Sequence, residues 1–352
     1  MKLIAYLLPQ FHRIPENDAA WGEGFTEWTN TKKSVPLYQG HRQPREPYND
    51  YYYDLTDPAA RQWQAGLAKK FGLHGFCYYH YWFKGKKLLE QPLEQMLSSG
   101  KPDFPFCLSW ANESWTRKWD GSDNELILRQ DYGQEEDWER HFDYLLQAFS
   151  DPRYIRIDNK PVFLIYRPGN IPCCEEMLAF WKRLALRRGM DGLFVVRTLG
   201  GFGLPKQEGF DASVEFEPHY TFGHSGSERI WSTMRTMGGE HLVFDYDEVW
   251  RLMLNRSPRR EGEMIFPGAF VGWDNTPRLG VKGQSGFGAS PHKFEEYLRR
   301  QLKRARQLYR SEFVFINAWN EWGEGAYLEP DKDWEYAYLK AVKKALESSE
   351  NE

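Results

Sequence analysis

Cysteine is scarce in this chain, four residues among 352: Cys77, Cys107, Cys173 and Cys174. None falls in a C-x-x-C pair or at a metal-binding spacing with histidine, so no structural zinc site is expected. Cys77 and Cys107 lie inside apolar runs and read as small buried hydrophobes. Cys173 and Cys174 follow Pro172 and read as an exposed loop pair, with a redox role as the alternative. Positive charge is not in excess either: 46 Lys and Arg face 50 Asp and Glu, a net charge of -4. That balance excludes a nucleic-acid clamp, which needs a basic surface to displace counterions from phosphates. Long apolar runs are missing, and none approaches the roughly 20 residues that span a bilayer. The first nine residues lack the apolar length and the small-residue cleavage site of a secretory leader, which sets the expectation of a reducing, cytoplasmic location. No internal repeat, low-complexity tract or Gly/Ser/Pro-rich linker marks a boundary, so one domain over residues 1–352 is expected.

Aromatic residues, in contrast, are plentiful. Fifteen Trp, 20 Tyr and 23 Phe make up 16% of the chain. Core packing alone rarely calls for so much indole, because each ring carries an N–H that needs a partner. An indole face also suits the C–H face of a sugar ring, so carbohydrate is the ligand class that this composition suggests.

Short apolar runs recur at 3–8, 75–82, 105–110, 161–166, 192–197, 212–216, 265–273 and 313–319. They are rich in Val, Ile, Phe and Tyr and do not alternate with polar residues, as expected of parallel strands buried on both faces. Helical patterns fall between most of them, at 57–71, 88–99, 134–149, 174–188, 245–255 and 291–309, with a last one at 333–346. Asp57-Pro58 and Ser290-Pro291 read as N-caps followed by proline at the first helical position. Eight such alternations predict a single (β/α)8 barrel with long loops rather than a doubly wound sheet. The first strand also runs into Pro9-Gln10-Phe11-His12 rather than a glycine-rich turn. In a barrel the loops after the strands build the active site. Trp21, Trp28, Trp82, Trp110, Trp115, Trp119, Trp273, Trp319 and Trp322 all fall at or after strand ends, which predicts a tryptophan-lined cleft.

The densest cluster of chemistry is Asn317-Ala318-Trp319-Asn320-Glu321-Trp322-Gly323-Glu324-Gly325, where the eighth strand runs out. Positions three apart point to opposite faces of a regular strand, but Gly323 and Gly325 permit a turn on which Glu321 and Glu324 converge. Two carboxyls at one site separate in pKa, one kept protonated as acid and one ionised as base. The run from Asn320 to Gly325, followed by Tyr327-Leu328-Glu329-Pro330, resembles the WbsX-like proteins of bacterial polysaccharide biosynthesis, which are similar in turn to the endo-α-mannosidases of glycoside hydrolase family 99. Ala5-Tyr6-Leu7-Leu8-Pro9-Gln10-Phe11-His12, Gly22-Glu23-Gly24-Phe25-Thr26-Glu27-Trp28, Tyr78-Tyr79-His80-Tyr81-Trp82 and Ser109-Trp110-Ala111-Asn112-Glu113 carry the resemblance along nearly the whole chain.

The resemblance implies a barrel enzyme that acts on α-linked glycans with retention, with no cofactor and no metal. It implies Glu324 as the general acid/base and Glu321 as the group that deprotonates the sugar's own 2-hydroxyl, which then attacks the anomeric carbon. A conventional retaining pair flanks the bond from opposite sides about 5 Å apart. Two glutamates of one turn approach from neighbouring directions, which fits participation by the substrate. The substrate partner is an oligosaccharide or polysaccharide. Two alternatives stand beside the hydrolase or transglycosylase: a glycosyltransferase of surface-polysaccharide biosynthesis using an activated donor, and a glycan-binding protein without turnover.

Further substrate-binding candidates surround this pair. Tyr79, His80 and Trp82 end the second strand, where His80 either orients a hydroxyl or is a satisfied core histidine. Asn112 and Glu113 follow the third strand. Glu217, His219 and Tyr220 follow the sixth, with Glu215 read as a core residue and the register open by one position. Glu27 and Trp28 follow the first strand, Trp273 ends the seventh, and Trp319, Asn320 and Trp322 flank the glutamates. The glycine-rich residues 280–290, with Arg278 and Lys282 near them, read as a mobile substrate loop or, alternatively, as a phosphate site. Asp331-Lys332-Asp333 reads as the cap of the last helix. The basic residues 299–306 read as an outer helix with a solvated face.

Overall fold

The eight apolar runs form eight parallel strands: β1 (Lys2–Leu7), β2 (Gly75–Phe83), β3 (Phe106–Trp110), β4 (Lys160–Ile165), β5 (Phe194–Leu199), β6 (Ala212–Glu215), β7 in two pieces (Ile265–Phe266 and Gly268–Phe270) and β8 (Phe313–Asn317). The computed structural model describes residues 1–117, 126–203, 208–224, 228–237, 241–258 and 263–350. Each strand from β1 to β6 pairs with the next, and β8 pairs with β1 through Lys2↔Phe313 to Ala5↔Ile316. The sheet closes through β7, whose two pieces pair with different neighbours. Ile265 and Phe266 lie against β6, and residues 268–270 lie against β8. Pro267 causes the break, because it has no N–H for the ladder. Gly268 permits it, because a Cβ there would fall on the Glu215 carbonyl oxygen. The result is a (β/α)8 barrel with strands buried on both faces.

Helices pack outside the strands as the apolar spacing predicts: α1 (Pro58–Lys70), α2 (Gln91–Ser99), α3 (Glu135–Phe149), α4 (Cys174–Arg187), α5 (Tyr246–Asn255), α6 (Pro291–Arg304) and α7 (Ala337–Glu350). The two expected caps form, with the Asp57 carboxylate accepting from Ala59 N at 2.8 Å and Ser290 Oγ from Lys293 N at 3.3 Å. Helix α6 buries Phe294, Leu298 and Leu302 and leaves Arg300 exposed and Arg299 half-buried, while Arg304 turns inward to Gln301 and the Arg256 carbonyl. Among the described residues, no helix is long and apolar enough to cross a membrane.

Three local expectations are corrected. Residues 280–290 do not form an open loop: Gln284–Phe287 is a strand pairing with His241–Asp245, which pairs in turn with Arg235–Met237. Gly286 is required by the Phe244 ring, which a Cβ would strike. The last helix starts at Ala337, and Asp331 instead accepts from Tyr327 Oη at 2.7 Å and Trp334 N at 2.6 Å. Cys174 is buried in the first turn of α4 rather than exposed.

The barrel also fixes which way each residue of β2 points. Odd positions Tyr79, Tyr81 and Phe83 face the cleft above the barrel, while His80 and Trp82 face α3. His80 and His141 meet there, Nε2 to Nε2 at 2.8 Å, under the Trp82 ring, which stacks on His141 at 4.6 Å. Burial pushes His80 down to about 3 and holds His141 well below its ordinary value. An unfolded chain protonates both near 6.5, so the stability of the neutral pair is present above that pH and lost as pH falls below it. At pH 5 the loss from His80 is about 2 kcal/mol. Differential scanning calorimetry should show that His141→Gln loses less Tm than the wild type between pH 7.5 and 5. Equal losses would mean that the pair does not set acid stability.

Candidate active site

Beyond β8 the chain makes a tight hairpin. Asn320 and Glu321 pair antiparallel with Tyr327 and Ala326, and a single 3-10 turn over Trp322–Glu324 joins them. Gly325 takes the left-handed conformation that this turn needs, at φ 59°. Gly323 has no room for a side chain, because a Cβ would strike Glu27 Oε1. Asn320 fastens the hairpin to the end of β1, accepting from Leu8 N at 2.7 Å and donating to Leu8 O at 3.0 Å. On the other side, Asp274 N donates to Glu324 O at 2.6 Å, and Arg45 Nη1 to Gly325 O at 3.1 Å. Asp274 is itself fixed by His41 at 2.9 Å, Gln43 at 2.8 Å and Thr276 Oγ1 at 2.6 Å.

One guanidinium gathers the carboxylates. Arg278, on the short helix Thr276–Leu279 after β7, donates from Nε to Glu27 at 2.8 Å, from Nη2 to Glu321 at 2.8 Å and from Nη1 to Glu324. Burial opposes its charge, but the three glutamates hold it protonated above its ordinary value. Three carboxyls share that one cation in a dry place. Burial, and then the neighbouring Glu324, pushes Glu321 up to about 8. Burial likewise raises Glu324 and Glu27 against the pull of Arg278. The cluster therefore keeps a proton near neutral pH. The Glu324 side chain is 22% exposed and Glu321 6%, so Glu324 reaches furthest toward solvent. The sequence offers Arg278 only as spare charge for a phosphate, and no motif marks it. The structure commits it to the glutamates.

Both glutamates and Arg278 open into a cavity of about 190 Å³ walled by Tyr79, Tyr81, Phe83, Trp115, Tyr166, Phe216 and His219, with Leu8, Ala111, Glu113 and Ser114. His219 lies flat against Phe216 at 5.6 Å and edge-on to Trp273 at 4.5 Å, and burial pushes it down to about 4. The expected tryptophan lining is largely an aromatic lining of another kind. Trp115 is the tryptophan on the cavity wall among the described residues. Trp28, Trp82, Trp110, Trp273, Trp319 and Trp322 are buried behind it, and Trp119 lies outside the described residues. Several of these indoles satisfy their N–H inside the protein, as Trp28 does on Tyr53 O at 2.8 Å and Trp110 on Trp82 O at 3.2 Å. They brace the long loops from beneath.

The other candidates divide the same way. Tyr79, Glu113 and His219 reach the cavity. Glu27 lies beneath it, under Arg278. Asn112 clasps the loop after β4, accepting from Arg167 N at 2.7 Å and donating to Arg167 O at 2.8 Å, while Glu113 pairs with Arg167 at 3.0 Å. His80 and Trp82 face away, as strand parity requires. Glu217 is turned from the cavity to Arg256 at 2.5 Å and Thr221 Oγ1 at 2.7 Å, beside Glu215 on the same arginine at 2.7 Å. Tyr220 packs on that guanidinium at 4.6 Å. Tyr81, Phe83 and Phe216 were missed, although the period of two along β2 would have selected the first two.

Removing the cation from this cluster leaves buried carboxylates unpaired, which costs about 3–5 kcal/mol. Arg278→Gln should lose about that much stability to urea at pH 8, and less at pH 5, where Glu321 is protonated. A loss independent of pH would show that the guanidinium matters through packing instead.

Among solved structures, the endo-α-mannosidase of glycoside hydrolase family 99 from Bacteroides thetaiotaomicron superposes with a TM-score of 0.58 at 13% identity, covering 99% of this chain and 97% of that one. A glycoside hydrolase-like protein matches at TM-score 0.60 and 14% identity over 98% and 93%. These likenesses are of fold. In sequence, the uncharacterized protein WxcX of Xanthomonas campestris pv. campestris is 40% identical over 350 residues in strains B100 and ATCC 33913. That stretch is 98% of this chain and 49% of the relative, so the chain spans about half the length of those relatives. Residues 3–342 match the family described as glycosyltransferase WbsX, and the chain belongs to that family.

Proposed function

We propose that this chain is a retaining hydrolase or transglycosylase of α-linked glycans, with Glu324 as general acid/base and Glu321 as the base that activates the substrate. The observation that carries this reading is the convergence of both glutamates on Arg278 at the wall of an aromatic cavity. A pair that holds one proton between its members is the starting state that the chemistry needs. Glu324, nearer the opening, gives its proton to the leaving oxygen. Glu321, deeper, takes the proton of the sugar's 2-hydroxyl as that oxygen bonds to the anomeric carbon. The second half reverses the transfers. Glu324 deprotonates a water, or an acceptor hydroxyl, that attacks the anomeric carbon, and Glu321 returns its proton to the 2-oxygen. Two displacements give net retention. Arg278 favours the ionised member, and the aromatic walls meet the C–H faces of the rings. The endo-α-mannosidase named among the structural relatives makes α-mannosides the first substrates to try.

The family's description favours a second reading, transfer from an activated sugar donor. A diphosphate needs free cations and open N–H groups. Arg278 is engaged with three carboxylates, and residues 284–287 are spent on sheet pairing, which supports the first reading over the second. Binding without turnover, the third reading, leaves the paired glutamates without a use.

NMR of α-linked oligosaccharides incubated without nucleotide sugar should show a product that first appears as the α-anomer. Glu324→Gln and Glu321→Gln should each lower kcat by about 10²- to 10⁴-fold. The rate should rise as pH approaches about 8, where Glu321 loses the proton that blocks its role as base. No release across a broad panel, or a β-anomer first, would overturn hydrolysis with retention and turn the assay to activated donors.

A further inference from the structure

Behind the catalytic hairpin lies a second buried carboxylate of a different kind. Glu329 is 3% exposed and pairs with no cation among the described residues. Its carboxylate accepts from three neutral donors, each on a different segment: Trp322 Nε1 at 2.7 Å, Tyr53 Oη at 2.8 Å and Gln64 Nε2 of α1 at 2.8 Å. Tyr53 Oη also receives Asn320 Nδ2 at 3.3 Å. The backbone of Leu328 and Glu329 is fixed in turn, both N–H groups donating to Trp319 O at 3.0 and 3.2 Å. Trp322 sits between Glu321 and Glu324 in the turn, and its ring is clamped between Tyr327, stacked at 3.9 Å, and Trp28 at 5.3 Å. Stacking fixes the plane of the indole but leaves it free to slide within that plane, and the N–H bond to Glu329 removes that freedom. Burial pushes Glu329 up to about 7, as expected of a carboxyl whose charge is met only by dipoles. A bare hydrophobic contact would stabilise this region at lower cost. The acid therefore earns its place by geometry.

We propose that Glu329 is a positioning residue, holding Trp322 by its indole N–H so that Glu321 and Glu324 meet on Arg278. This rests on the catalytic reading of those two glutamates given above. It acts at a distance from any substrate, since neither Glu329 nor Trp322 reaches the cavity wall.

Glu329→Met keeps the bulk and deletes the acceptor, and Trp322→Phe deletes the donor from the other end. Each should lower kcat about tenfold or more with KM within about threefold, as expected for one buried bond to a charged group. The double variant should be no slower than the slower single one, because both remove the same bond. Glu329→Gln should recover at least half of the loss, since Gln64 can rotate its amide to face the new one. Additive losses, or a loss carried by KM alone, would overturn the proposal. A readout without turnover keeps it separate from the functional reading. Carboxyl ¹³C NMR of the wild type should show the Glu321 step near pH 8, and both Glu329→Met and Trp322→Phe should move it down by about half a unit or more as the turn loosens into solvent. An unmoved step in the soluble variant, or in Trp322→Phe if Glu329→Met does not fold, would sink the positioning role even if no glycan is ever cleaved.

Discussion

Arg278 is the constraint on which the site depends. A guanidinium presents its donors in a rigid plane, so three carboxylates bound to one of them have fixed relative positions. Glu27, Glu321 and Glu324 come from two loops nearly three hundred residues apart in sequence, and Arg278 comes from a third. Buried ion clusters contribute little net stability, because desolvation offsets most of the attraction. What they do supply is a definite arrangement and a definite charge. Here the charge is deliberately incomplete, with one cation for three acids, and that deficit leaves a proton to be moved.

The supports of the hairpin follow the same logic with gentler forces. Asn320 spans to β1, Asp274 and Arg45 take hold of the Glu324–Gly325 backbone, and Glu329 takes hold of Trp322. The Asn320 and Glu329 contacts are hydrogen bonds buried from water, where an orphaned partner is costly, and the Arg45 contact is partly buried. The tryptophans that crowd the strand ends belong to this framework. Their large faces fill the space under long loops, and those with indole partners lock the loops in register.

Most of the fold could be read from the sequence, because strands buried on both faces leave an unmistakable run of apolar residues, and all eight runs became strands. The turn was legible as well, from Gly323 and Gly325 beside the two acids, while the antiparallel pairing that makes it a hairpin was not. Arg278 was not, because an arginine in a loop looks the same whether it faces water or three carboxylates. His80 and Glu217 were misplaced for a related reason. Each lies at a strand end among polar and aromatic neighbours, and only strand parity distinguishes the cleft side from the helix side. Residues 280–290 misled through their glycines, one of which, Gly286, is there because the Phe244 ring leaves no space for a side chain.

The split seventh strand has a consequence for how the site comes into being. Strands β1 to β6 can assemble as an open sheet in the order of the chain, each beside its predecessor. The eighth must then travel back to β1, joining residues near position 2 to residues near 313, and the two halves of β7 act as a latch between β6 and β8. Contacts so distant along the chain are late and slow to form. Glu321 and Glu324 sit just beyond that last strand, and Arg278 just beyond the latch. The aromatic walls come from β2 and from beyond β3, β4 and β6, and the acids from beyond β8, so the site is complete only in a closed barrel.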